Sequence, residues 1–128
     1  MSEIHVRQQV TQYTVCAVPE DDEEAHGWEI TVEWRGKGLW AVRRFSECLG
    51  RGGEWDYEPR PSARTEAWLA DHRFGLEEAL ARAEEAARRV MVNGLTAAGL
   101  LRWRAEIEAG ADPAELRRRV IREGRDFA

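Results

Sequence analysis

The stretch WEITVEWRGKGLWAVRRF, Trp28 to Phe45, decides the fold. Trp28, Ile30, Val32 and Trp34 alternate with Glu29, Thr31, Glu33 and Arg35, a period of two that predicts a strand with one buried face. Gly36-Lys37-Gly38 then supplies residues tolerant of positive φ between two strand-like runs, as a short hairpin loop requires. Pairing Arg35 with Leu39 sets Trp34 against Trp40, Val32 against Val42 and Ile30 against Arg44. That register lays Trp28, Ile30, Val32, Trp34, Trp40 and Val42 on one side. Glu29, Thr31, Glu33, Arg35, Arg43 and Phe45 take the other, which is expected to face solvent. Because the aromatics alternate with charges, most belong in a core beneath a helix and not on an open ligand platform.

Working outward, Gln9 to Val18 is β-branched and aromatic and ends at Pro19 and the acidic run Glu20, Asp21, Asp22, Glu23, Glu24, so it predicts a strand and a solvated turn. IHVR, 4–7, starts that strand or a separate one. Downstream, the glycine-rich turn at 50–53 precedes a strand EWDYE in which Trp55 and Tyr57 share a face, and PRPS, 59–62, ends the sheet region.

The pattern then turns helical. A short element spans Thr65 to Asp71. Leu76 to Met91 follows, with Leu76, Leu80, Ala83, Ala87, Val90 and Met91 at helical spacing and Glu-to-Arg pairs four residues apart on the outside. Thr96 caps a further helix whose Leu100, Trp103 and Ile107 form an apolar seam. Asp112-Pro113 opens a last one that buries Leu116 and Val120. The expected fold is α+β: an antiparallel meander of three to four strands covered by one long amphipathic helix, then a C-terminal helical hairpin. No repeat or linker divides the chain, so residues 1–128 are read as one domain, β-rich over 1–61 and helical over 62–128.

Composition narrows the setting. With 128 residues, 43% hydrophobic and 34% charged, the chain is long enough to bury roughly two-thirds of its unfolded surface. Its net charge of −5 is unevenly placed, with 13 acids and 8 bases in residues 1–66 and 11 of each thereafter. That balance opposes whole-protein attraction to nucleic acid and is expected to favour a soluble monomer or a protein partner of basic character. The N-terminus shows no secretion signal, and no run of apolar residues is long enough for a membrane span. The expectation is the cytoplasm of a bacterial host cell, with no membrane partner and with Cys16 and Cys48 as buried thiols.

Chemistry-bearing patterns are sparse. The acidic run 20–24 lacks the spread oxygen ligands and central glycine of a calcium loop. His5, His26 and His72 are scattered without metal-ligand spacing, and no metal or cofactor is expected. Cys48 and His72 would make a nucleophilic pair only if the fold joined them, and nothing local marks Cys48 as activated. No catalytic residue is therefore assigned. Arg118, Arg122 and Arg125 form a stripe on the last helix and, with Arg35 and Arg43 of the hairpin, are the candidate nucleic-acid contacts. RAEIEAGADPAELRRRV resembles the first half of the helix-turn-helix units of resolvases and small repressors, but no recognition helix follows it before Ala128.

GLWAV, GEWDYEP, WLADHRF and the helix after them, about seventy residues in all, resemble small proteins encoded by actinobacterial phages and related mobile elements. Eighteen arginines against the single Lys37 agree with a GC-rich source. The resemblance implies a setting and brings no activity, cofactor or catalytic residue with it. The expected function is that of a non-enzymatic interaction protein acting on a host or phage protein. Its contact candidates are the aromatic hairpin residues Trp40, Phe45, Trp55 and Tyr57 and the acidic loop Glu20 to Glu24. A DNA-binding regulator is the alternative and a small enzyme the third. A homodimer through the C-terminal helices is expected if the seam Leu100, Trp103, Ile107 is exposed.

Overall fold

The computed structural model describes residues 3–123. Its five strands, β1 (Gln12–Val15), β2 (Ile30–Trp34), β3 (Trp40–Arg44), β4 (Glu47–Leu49) and β5 (Trp55–Tyr57), form one antiparallel meander in chain order. Four helices follow, α1 (Glu66–His72), α2 (Leu76–Arg89), α3 (Ala97–Glu108) and α4 (Pro113–Glu123). The fold is α+β as the pattern predicts, with one strand more than the expected three or four.

The central hairpin has the predicted register. Trp34 pairs with Trp40 and Val32 with Val42, and the Arg35 N–H donates to the Leu39 carbonyl at 2.8 Å. The added strand is β4, too short to show alternation, which turns back after Arg44 and pairs Cys48 with Arg43 on one side and with Asp56 on the other. Residues 3–11 form no strand, and Ile4 and Val6 are exposed, so the strand signal of IHVR is not realised. Trp28 sits in a 3-10 turn (Ala25–Trp28) instead of extending β2, yet it is buried in the same core.

That core lies on the face of Ile30, Val32, Trp40 and Val42, and α2 lies across it. The helix meets the sheet through Ala79, Ala83 and Ala87, whose small side chains let its backbone come close, while Leu76 and Leu80 pack at its flanks. Met91, expected on the buried stripe, is exposed because the helix has ended at Arg89. Thr96 caps α3 by accepting the Gly99 N–H at 3.2 Å, and Asp112 accepts the Ala114 N–H at 3.0 Å at the start of α4. Leu100 is fully buried and Trp103 and Ile107 lean on the same core, so the seam faces inward and the condition set for a homodimer through these helices is not met.

The segment between sheet and α2 changes layers. The Thr65 hydroxyl accepts the Trp68 N–H and starts α1, whose exit is pinned where Phe74 exchanges two backbone hydrogen bonds with Trp40 at 2.7 and 3.0 Å. Phe74 therefore enters the apolar core, while His72 and Arg73 just before it are buried on the opposite side of the sheet.

Candidate functional site

The face carrying Thr31, Glu33 and Arg43, expected to meet solvent, also holds the buried Cys48 and is met by side chains and backbone from residues 59–73. Glu58 follows β5 on this side, and its side chain is only 5% exposed. Four guanidiniums converge on its carboxylate: Arg35 at 3.2 Å and Arg43 at 2.9 Å on one oxygen, Arg73 at 3.2 Å and Arg64 at 3.6 Å on the other. Glu33 shares Arg35 and Arg43 at 3.4 and 3.6 Å. Burial alone would raise the Glu58 pKa, but the Arg35 charge and hydrogen bond, with Arg43 and Arg64, outweigh it and hold the carboxyl below its ordinary value. The Arg73 pKa is also lowered, chiefly because burial disfavours its charged form.

This arrangement accounts for two predicted nucleic-acid contacts. Arg35 and Arg43 are engaged with Glu33 and Glu58 and do not form an open basic face. Beside the network, Arg35, Lys37, Arg51 and Arg73 line a shallow groove of about 460 Å³ with Leu39, Leu69 and Ala70. Arg51 is tied by donating to the carbonyls of Ala70 and Arg73, both at 2.9 Å.

At the other end of α1, His72, one of three histidines scattered along the sequence, is buried at 3% exposure. Its ring stacks on Trp68, with centroids 4.1 Å apart and planes 8° from parallel. Nδ1 lies 2.8 Å from the Trp68 carbonyl and Nε2 lies 2.8 Å from the Asp56 carboxylate. Cys48 touches this residue only through its backbone, the thiol facing the His72 carbonyl at 3.9 Å. Burial, then the Glu58 charge, push the Cys48 thiol pKa up, the reverse of what a nucleophile requires.

The surface candidates separate sharply. Phe45 and Tyr57 are each 70% exposed, Trp55 is half-buried against the core, and Trp40 at 6% is a core residue closed to any partner. In the acidic loop, Arg104 of α3 pairs with Asp22 at 2.9 Å and Glu24 at 3.5 Å, leaving Glu20, Asp21 and Glu23 outward. Arg118 is exposed, whereas Arg125 and the side chains of Val120 and Arg122 fall outside the described residues.

Glu58, Arg64, Trp68 and Arg73 were not singled out as a group from sequence. Their one local signal is the density of charge around the single Trp68 in EPRPSARTEAWLADHR, placed directly after a strand. Comparison with protein-family models, curated proteins and solved structures finds no match. Among the described residues, no helix is long and apolar enough to cross a membrane.

Proposed function

We propose that the protein is a non-enzymatic binding module whose contact surface is centred on Phe45 and Tyr57. The observation that carries this is the backbone of Phe45. Arg44 and Glu47 pair across a two-residue turn in which Phe45 has a φ of 56°. A left-handed conformation costs a residue with a side chain roughly 1–2 kcal/mol, and Gly or Asn is the usual occupant. A strained, bulky ring that is also exposed contributes nothing to the core, which favours a role in outside contacts. The Arg44 guanidinium lies 4.6 Å from the ring centroid and supports it. Tyr57, on the edge strand β5, stands opposite Glu47, two residues beyond Phe45, so both rings belong to the same end of the sheet.

The phage resemblance directs the search for a partner to an actinobacterial cell. Affinity capture with the tagged chain, in the presence of nuclease, should retain a defined protein that Phe45→Asn loses. The same variant should keep the stability of the parent or gain up to about 1 kcal/mol from relieved strain. Retention of the same partner by Phe45→Asn would refute the assignment, as would capture of nucleic acid alone. The engagement of Arg35 and Arg43 with Glu33 and Glu58 weighs against the DNA-binding alternative.

A further inference from the structure

We propose that Asp56, Asp71 and His72 form a binding site for a divalent first-row transition ion, zinc being the first to test. Each residue offers one donor atom, and the three atoms lie within 4.8 Å of one another. Bonds of about 2.1 Å place neighbouring donors roughly 3–3.5 Å apart, so closure takes small rotations of two carboxylates whose side chains are half-exposed. A nitrogen with two oxygens suits zinc, manganese or iron(II), while magnesium and calcium prefer oxygen alone.

Three features of the surroundings point to an ion. The His72 Nδ1 faces the Trp68 carbonyl, so an N–H donated there leaves the Nε2 lone pair facing the Asp56 carboxylate at 2.8 Å, the second-shell arrangement usual for metal-bound imidazole, while the Asp71 carboxylate lies 3.6 Å from Nδ1 and must swing toward Nε2 to join it. The stacked Trp68 ring fixes the imidazole plane. Gly50 leaves the space between the donors open: a Cβ there would sit 2.9 Å from the Asp71 oxygen, 3.3 Å from Nε2 and 3.5 Å from the Asp56 oxygen. Although arginines crowd this side of the sheet, Arg35, Arg43, Arg64 and Arg73 pair with Glu33 or Glu58 and Arg51 with Glu78. Asp56 and Asp71 have His72 as their ion-pair partner.

The test is calorimetric titration of ZnCl2 into the full chain after EDTA treatment and dialysis, with MgCl2 as the control ion. One saturable equivalent of zinc is expected, with no response to magnesium. Because His72 is buried and its replacement threatens the fold, the informative variants are Asp71→Asn and Gly50→Ala. The first removes a ligand charge, and the second puts a methyl group between the donors at a backbone conformation open to alanine. Each should weaken zinc binding at least tenfold while leaving the circular dichroism spectrum unchanged. Absence of one-to-one zinc binding, or equal affinity in parent and both variants, would overturn the proposal and leave Asp56–His72 as a structural ion pair.

Discussion

On one face of the sheet, Ile30, Val32, Trp40 and Val42 meet the alanines of α2; on the other, Glu33, Arg43 and Glu58 meet Arg64 and Arg73 around α1. The first contact is non-directional, and its strength falls gradually as apolar area is removed. The second is directional and conditional. Buried charges are tolerated only while each has its partner, so loss of one member exposes the desolvation cost of the rest. The difference teaches where this protein is fragile: its weakest point is a single carboxylate and not the aromatic hairpin that dominates its sequence.

The largest expected effect follows from that asymmetry. Glu58→Ala strands Arg73, whose side chain is 5% exposed, and should lower the unfolding free energy by about 3–5 kcal/mol in urea titration. Adding Arg73→Met to Glu58→Leu should recover part of the loss, because an apolar pair replaces one half of an ion pair. A cost below about 1 kcal/mol for Glu58→Ala would mean that the four guanidiniums are hydrated well enough to stand alone, and the contrast between faces would collapse.

Acid should divide the faces next. The folded-state pKa of Glu58 lies below its unfolded value of about 4.3, so the unfolded chain takes up the proton first as pH falls. The contribution of Glu58 to stability is therefore complete above that pH and disappears as pH drops through the folded-state value. Measured with EDTA present, the stability gap between parent and Glu58→Gln should narrow across this acid window and stay constant above pH 5. A gap that persists into strong acid would show that packing, not charge, holds the carboxylate in place.

How legible each face was depends on the range of its interactions. Trp34 against Trp40 and Val32 against Val42 follow from alternation on either side of a glycine turn, because strand periodicity and loop length fix a local register. The caps at Thr96 and Asp112 are local in the same way. The polar face was read as solvent because alternating charge usually means water, and no periodicity announces that Arg73, fifteen positions away, returns to Glu58. β4 was hidden for a different reason: Glu47–Leu49 carries no aromatic alternation, whereas the equally short β5 was marked by Trp55 and Tyr57 after a glycine-rich turn. His72 met Asp56 and Asp71 only through the path of α1 over the sheet, so the candidate metal donors were invisible as a group.

The apolar face should respond in small steps. Ile30 is fully buried, and Ile30→Val deletes one methylene, so the expected loss is about 0.5–1.5 kcal/mol, the same at pH 4 and pH 7 because no charge is involved. A pH-dependent loss at this position would show that the two faces communicate through the sheet between them.

The smallest effect should come from the rim of the network. Arg64 reaches Glu58 at 3.6 Å, donates through Nε to the Pro59 carbonyl at 2.8 Å, and retains 18% exposure. Arg64→Lys keeps the charge and the aliphatic stem, gives up the planar fork, and leaves an ammonium that can stay hydrated, so its cost should fall within about 1 kcal/mol. Arg73→Lys makes the same chemical change where water does not reach, and it should cost clearly more. Paired urea titrations of the two variants thus measure how steeply desolvation grows from rim to centre. Equal costs would show that the depth of each arginine makes no difference, which would remove the physical basis for treating this face as conditional.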